Sequence, residues 1–339
     1  MSEESWSYAK AGVDIAKQRR LHERALSAAK TLSKRLNVEV EGLGGYSASV
    51  KLDAYKLMLH IDGVGTKTIV LRELKSLWVA GWDCVAVNVN DVACERGRPI
   101  AIVDYVSMPD TNEEEFSQII EGLTRAAERS RTIIVGGETA ILPDLVSGID
   151  VVCAVLAIKE GDLKDPSEGD VLVGIESNGL HANGYTLVRR VLKNKGLSYN
   201  SSISGVYFSS ELTKPTAIYS NMLLEAFEKG LIKRAAHITG GGFSKLKRVL
   251  NSSFDARIDA PRPPSIFEVI QELGRISTEE MYKVFNMGIG MIVITEREAL
   301  DDLIGLAERH GLKASSIGVL EKGIGRVLIK TWRGEKIEI

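Results

Sequence analysis

The sequence predicts a mixed α/β fold in two domains. Three observations carry this. From Lys56 onward, short runs rich in valine and isoleucine alternate with stretches of helical spacing. A polar, turn-rich tract, KEGDLKDPSEGD at 159–170, interrupts that alternation and contains Pro166. The chain has 339 residues, long for one hydrophobic core. Domains are therefore expected at 1–165 and 166–339.

In chain order, Lys17 to Leu36 carries Leu21, Ala25, Ala28, Leu32 and Leu36 among many charges, the pattern of an amphipathic surface helix. The runs LMLHI, CVAVNVN, IAIVDYV and TIIV then read as strands. Thr111 and Glu114 form a capping box ahead of Phe116, Ile119, Ile120 and Leu123. VVCAVLAI at 151–158 is a further strand. Past the junction VLVGIE reads as a strand, followed by a helix with Leu187, Val188, Val191 and Leu192. A helix is expected at 216–229, and MIVIT and RVLIKTW supply late strands. Ser277 with Glu280, and Thr295 with Glu298, have the spacing of two more capping boxes.

Bulk properties exclude several function classes. A hydrophobic fraction of 44% with 26% charged residues suits a soluble globular enzyme. The net charge of −2 provides no basic field for nucleic acid, so anion binding must be local. The N-terminus has no apolar signal core, and no apolar run reaches the roughly 20 residues of a membrane-spanning helix. Neither nucleic acid nor membrane is an expected partner, and a cytoplasmic location is. Cys84, Cys94 and Cys153 lack C-x-x-C spacing, and their odd count reads as reduced thiols.

The stretch IDGVGTKT at 61–68 uses the vocabulary of a phosphate loop without its grammar. A Walker A loop places its last glycine directly before the lysine, whereas Thr66 separates Gly65 from Lys67. A dinucleotide fingerprint needs a third glycine where Thr68 stands. Asp62 follows LMLHI, Asp91 follows VAVNVN, and Glu138 follows TIIV through two glycines. Three carboxylates at expected strand ends repel one another unless a cation joins them, and Mg²⁺ with substrate phosphates meets that need. Gly63, Gly65, Gly136 and Gly137 allow backbone amides to approach an anion. Lys67 can act as a point charge on phosphate.

Two later loops carry similar chemistry. SNGLHANGYTLVRR at 177–190 sets two Asn-Gly turns around His181, ahead of a helix. HITGGG at 237–242 puts three glycines at a helix start, either an anion cradle or a hinge. FNMGIGMIVI at 285–294 reads as packing, and His60 as a core or interface residue of its strand.

In this order the motifs resemble the aminoimidazole ribonucleotide synthetase family, also called phosphoribosylformylglycinamidine cyclo-ligases. The matching segments are Y-x-x-A-G-V-D-I at 8–15, D-G-V-G-T-K at 62–67, and N-D-V with D-Y within 90–105. They continue with G-G-E-T-A at 136–140, S-N-G-x-H-x-N-G-Y at 177–185, I-T-G-G-G at 238–242 and F-N-M-G-I-G-M at 285–291. The resemblance implies a homodimer whose N-terminal domains pair their sheets into a barrel-like interface, with C-terminal α/β domains outside. It implies ATP and Mg²⁺, with Asp62, Asp91 and Glu138 at the metal. Nucleotide contacts would come from Asp14, Gly63, Gly65, Thr66, Lys67, Asn90, Gly136, Gly137 and Thr139. Asn178, Gly179, His181, Asn183, Thr239, Gly240 and Gly241 would face the substrate. The chain departs from the family where DIAKQRR replaces D-I-D-x-G-N, where Ile141 replaces a second glutamate, and in ACERGRPI.

The implied reaction closes formylglycinamidine ribonucleotide to 5-aminoimidazole ribonucleotide while ATP becomes ADP and phosphate. Lys67, Asp91 and His181 would be the catalytic side chains, His181 as general base. The rivals are another ATP-dependent member of the superfamily, such as a small-molecule kinase, or a non-catalytic nucleotide-binding dimer.

Overall fold

The computed structural model describes residues 5–339, and only the backbone of Ile15, Ala16 and Arg19. The chain divides into two compact units. One comprises Gly12–Asp162; the other joins residues 5–11 to Leu163–Ile339. The passage between them thus lies inside the polar tract 159–170, and the N-terminal residues belong to the second unit. There Trp6 N–H donates to Gly274 O, and Tyr8 N–H donates to a carboxylate oxygen of Glu280.

The first unit opens with helix α1 (Ile15–Leu36), whose N-cap Asp14 accepts from Lys17 N–H. Strands β1 (Val40–Glu41), β2 (Ser49–Leu52) and β3 (Tyr55–Gly63) follow, then helices α2 (Lys67–Glu73) and α3 (Trp78–Cys94). Strand β4 (Gly97–Met108), helix α4 (Glu113–Ser130), and strands β5 (Ile133–Ile141) and β6 (Asp150–Lys159) complete it. The sheet order is β1-β2-β3-β6-β4-β5, antiparallel except for the β4–β5 pair.

Helix α3 corrects the sequence reading, which took CVAVNVN for a strand. All of α3 except Trp78 and Trp82 is buried, because it lies between the sheet and α4. A helix buried all round loses its amphipathic stripe and reads as a plain apolar run. Its crossing with α4 is close. A Cβ on Gly122 would sit 1.7 Å from Trp78 O, and one on Gly81 would sit 2.0 Å from Ile119 O. Only glycine fits at either point.

The cysteine reading is also corrected. Cys84 on α3 and Cys153 on β6 form a buried disulfide with a Cα separation of 5.6 Å, while Cys94 is buried and lies outside that cross-link. The pairing joins positions 69 residues apart, so no local spacing could announce it.

The far face of this sheet is apolar and open in the single chain. Leu59, Leu156, Ala101 and Ile133 form one row across β3, β6, β4 and β5. Ile61, Ala154 and Val103 form the next. Leu59 is 73% exposed and Ile133 63% exposed.

The second unit contains β7 (Val171–Glu176), α5 (Tyr185–Asn194), the hairpin β8 (Ser202–Ile203) and β9 (Val206–Tyr207), α6 (Phe208–Leu212) and α7 (Ser220–Glu228). Then come β10 (Arg234–His237), β11 (Phe254–Asp259), α8 (Ser265–Gly274), α9 (Thr278–Val284), β12 (Ile289–Thr295), α10 (Leu300–Arg309), β13 (Ala314–Lys322), β14 (Val327–Lys330) and β15 (Lys336–Glu338). The sheet runs β10-β12-β7-β13-β11-β14-β15, with β11–β14 parallel. Its central strands β7 and β12 are almost wholly buried, so they read as unbroken apolar runs.

The expected caps fared unevenly. Ser277 accepts from Glu280 N–H as expected. At α4 the cap is Asn112, which accepts from Glu115 N–H, one residue past the expected pair. Thr295 caps nothing: it ends β12 and its hydroxyl donates to Leu231 O. The glycines of HITGGG lead into a 3₁₀ helix, Gly242–Arg248, rather than an α-helix. Among the described residues no helix is long and apolar enough to cross a membrane.

Candidate active site

In the first unit the chemistry gathers where the end of β3 meets α3. Cys84, Asn88 and Asp91 follow one another at helical i, i+4, i+7 spacing, so one face of α3 presents all three to the sheet. Asn88 Nδ2 donates to Asp62 O at 3.1 Å and to Cys84 O at 2.8 Å, fixing the exit of β3 to the helix. The Asp62 carboxylate accepts from Gly63 N–H at 2.8 Å. Val64 N–H donates to Val151 O, and Gly65 turns the chain at φ +64° before α2.

His60 and Asp62 alternate along β3 and so share a face. One donor atom from each of His60, Asp62 and Asp91 lies within 4.8 Å of the others. His60 Nε2 is 3.4 Å from Asp91 Oδ2. Two of the three expected metal carboxylates are thus together, joined by a histidine read from the sequence as a core or interface residue. Glu138 is elsewhere. It lies within β5, in the row of Gly63, Val152 and Tyr105, whereas Asp62 shares its row with Cys153, Asp104 and Gly137. Three strand spacings separate the two acids, about 14 Å. Gly136, Gly137 and Thr139 stay in the β5 ladder with Glu138. The Asp104 carboxylate lies against Gly137, and burial raises its pKa.

Lys67 is wholly buried and donates to the equally buried Asp83 Oδ2 at 2.6 Å. Burial drives the Lys67 pKa down, and Asp83 opposes that. Asn90, on the same helix, is also buried. Thr66 directly precedes α2 without a side-chain capping bond.

In the second unit the 177–184 loop is tied to its neighbours. His181 is 1% exposed, and its Nε2 accepts from Asn178 N–H at 3.0 Å and Ala217 N–H at 3.4 Å. Asn178 Nδ2 donates to Pro215 O. Asn286 Nδ2 donates to Gly179 O, and Asn286 Oδ1 accepts from Gly288 N–H. The F-N-M-G segment therefore packs beneath the Asn-Gly turn, as its sequence suggested. Two expected substrate loops come together, since a Cβ on Gly240 would lie 3.0 Å from Asn183 Oδ1. Thr239 and Gly241 flank that contact, Gly241 at φ +98°.

Behind this loop the rings of His181, Tyr219 and His237 lie 6.1–6.5 Å apart. Tyr219 donates to Glu176 O, and burial pushes its pKa far up. A Cβ on Gly290 would lie 2.1 Å from Tyr219 Oη and 2.6 Å from His181 Cε1. Asp83, Asn88, Tyr219 and His237 were not singled out in the sequence, because each meets its partner only through tertiary packing.

The model of the AIR synthase related protein N-terminal domain matches residues 44–158, and that of the C-terminal domain matches 167–330. The chain is 39% identical to the phosphoribosylformylglycinamidine cyclo-ligase of Sulfurisphaera tokodaii, over 98% of this chain and 99% of that protein. It is 41% identical to the protein of the same name from Methanocaldococcus jannaschii, over 92% and 91%. The fold is shared with AaThiL complexed with AMPPCP and TMP, at TM-score 0.65 and 18% identity, covering 91% of this chain and 93% of that one. It is shared too with hydrogenase maturation protein HypE in complex with ATP, at 0.63 and 16%, covering 86% of each. With both domain models matched and curated relatives aligned almost end to end, the chain belongs to the phosphoribosylformylglycinamidine cyclo-ligase family.

Proposed function

We propose how this chain carries out the family's reaction, the ATP-dependent ring closure of formylglycinamidine ribonucleotide to 5-aminoimidazole ribonucleotide. An amide oxygen is a poor leaving group, so attack by the nearby nitrogen stalls unless that oxygen is first activated. Transfer of the γ-phosphoryl from ATP to the oxygen provides the activation. The ring nitrogen then forms the new C–N bond, the C–O bond breaks, phosphate departs and the nitrogen gives up a proton. Little covalent work falls to the protein, which positions the reactants and balances charge.

The observation that carries this assignment is the meeting of Asp62 and Asp91, with His60, at the exit of β3. Oxygen donors from a strand end and a helix suit Mg²⁺, which would neutralise phosphoryl charge here when bound. Asp62 and Asp91 are its proposed holders. Glu138, Gly136, Gly137 and Thr139 form a second proposed contact along β5. Lys67, with Gly63, Gly65, Thr66 and Asn90, belongs to the proposed nucleotide loop. While it stays paired with Asp83, Lys67 anchors that loop from within, and a direct phosphate contact would require it to leave Asp83. Asp14, a further proposed nucleotide contact, caps α1. In the second unit Asn178, Gly179, Asn183, Thr239, Gly240 and Gly241 are proposed for the substrate. His181 is the proposed acceptor of the ring-closure proton, once its Nε2 is released by the amides that now hold it.

The apolar rows on β3, β6, β4 and β5 are the proposed homodimer surface, since open faces of this kind mark protein interfaces. The proposal extends to a cytoplasmic setting. Leu59→Glu with Ile133→Glu should convert a dimer into a folded monomer by analytical ultracentrifugation.

The activity test measures phosphate released from MgATP, with and without formylglycinamidine ribonucleotide, beside the product as a diazotisable amine. Equal amounts of both, lost in folded Asp62→Asn protein, are expected. ATP binding without amine formation would instead favour a sibling acceptor, such as thiamine monophosphate.

A further inference from the structure

The metal cluster contains a donor that an all-oxygen Mg²⁺ site does not need. His60 Nε2 is buried and has no hydrogen-bond partner. Its 3.4 Å approach to Asp91 Oδ2 is an ion-pair distance that lacks hydrogen-bond geometry. The ring itself is 16% exposed and sits two residues before Asp62, so β3 aims both side chains toward α3. Buried polar atoms are almost always satisfied, and an imidazole nitrogen left facing two carboxylates suits a cation that joins all three. Oxygen ligands suit Mg²⁺, which gains little from nitrogen. Imidazole suits iron, nickel, copper and zinc ions best, and of the two ions that carboxylates also suit, Mn²⁺ accepts its nitrogen more readily than the harder Mg²⁺.

We infer that His60, Asp62 and Asp91 form a mixed nitrogen–oxygen site that takes a first-row transition ion such as Mn²⁺ in preference to Mg²⁺, with His60 setting the preference. The inference rests on the metal reading of this site given above. It differs from that reading in naming the ion class and the residue that selects it. The neighbours support a preformed site. Asn88 fixes the backbone at Asp62, and the Cys84–Cys153 disulfide links α3 to the strand beside β3. Donor groups held in place by the scaffold lose little freedom when the ion arrives.

The test uses the purified full chain without nucleotide, so it does not depend on turnover. Free Mn²⁺ is followed by electron paramagnetic resonance as the protein is titrated, and Mg²⁺ is then added in competition. The unchanged protein should hold Mn²⁺ and release it only to a large excess of Mg²⁺. In His60→Ala and His60→Asn the preference for Mn²⁺ over Mg²⁺ should fall about tenfold or more, with Mg²⁺ affinity nearly unchanged. Co²⁺ supplies a second readout, since loss of a nitrogen ligand should shift its visible absorption bands. Thermal melts confirm that the variants fold, and the asparagine variant keeps a polar side chain of moderate size on β3. An unchanged Mn²⁺/Mg²⁺ ratio in folded variants overturns the inference, as does failure of the unchanged protein to bind Mn²⁺ at millimolar concentration. Coupled phosphate and amine formation with Mg²⁺, beside an unchanged ratio, would sink this inference alone. Loss of amine formation in unchanged protein would sink the cyclase reading instead.

Discussion

Lys67 and Asp83 form an ion pair, Nζ to Oδ2 at 2.6 Å, with both side chains wholly out of water. Lys67 opens α2 directly after the Asp62–Thr66 loop, and Asp83 projects from α3. The pair therefore fastens the loop to the helix that carries Asn88 and Asp91. Asp83→Asn would leave a buried ammonium without its counter-charge, a change that costs about 3–5 kcal/mol. Lys67→Met with Asp83→Leu removes both charges and should recover most of that loss. Urea unfolding of the two variants measures the difference. Equal stability of the single and double variants would refute a charge-pair role.

The Cys84–Cys153 disulfide closes a loop of 69 residues. Restricting so long a loop in the unfolded chain is worth about 4 kcal/mol in the chain-entropy account. A reductant should lower the melting temperature of the native protein and leave Cys84→Ser with Cys153→Ser unaffected. Alkylation in denaturant without reductant should label one thiol, Cys94, and reduction should raise the count to three. Three labelled thiols without reductant would remove the cross-link.

A pH effect should appear in the second unit. Asp255 accepts from the Arg326 guanidinium and from the N–H groups of Ile324 and Arg326. The guanidinium first, and the backbone donors after it, hold the Asp255 pKa down to about 2. An unfolded aspartate titrates near 3.9, roughly. The folded value is the lower one, so the pairing stabilises the fold fully above pH ~4 and fades as pH falls toward ~2. Arg326 is 44% exposed, so solvent screening discounts the contribution. Asp255→Asn should be less stable than the unchanged protein at pH 7, and the gap should shrink to about a third of that size at pH 2.5. A constant gap across that range would reject the account.

What could be read in advance divides along physical lines. Strands exposed on one face, such as β3, and helices with one apolar stripe, such as α4, showed their period. Helix α3 did not, because burial on every side removed the polar face that marks a helix. Glycine and asparagine neighbours single out Asp62 and Asp91 in the sequence, though Asp91 lies inside a helix rather than past a strand. His60 was passed over because its alternation with Leu59 and Ile61 suits a buried strand equally well. Glu138 carried a motif signal, yet strand register sets it in the row of Tyr105 and away from Asp62. Lys67 has the sequence context of a phosphate ligand, but its partner Asp83 is visible only once α2 and α3 are packed.

His181 offers the sharpest test of a proposed role. Its Nε2 accepts two backbone N–H groups, so in this conformation the ring is neutral and its proton is on Nδ1. A base must present an open lone pair to the substrate nitrogen, which requires the 177–184 loop to yield Nε2 during the cycle. A residue that only shapes this loop would act through Asn178 and the Ala217 amide. The two roles differ in kinetics. If His181 takes the proton, His181→Gln should lower kcat about 100-fold or more with little change in KM. It should also remove the acid limb of the kcat–pH profile that the imidazole sets, because the ring whose protonation blocks proton transfer is gone. If the ring only positions the loop, the glutamine amide oxygen can accept the same N–H groups. KM would then rise, kcat would fall by less, and the acid limb would persist. Steady-state kinetics from pH 5.5 to 9, with circular dichroism to confirm folding, separates the two, and a retained acid limb would move the base to another side chain.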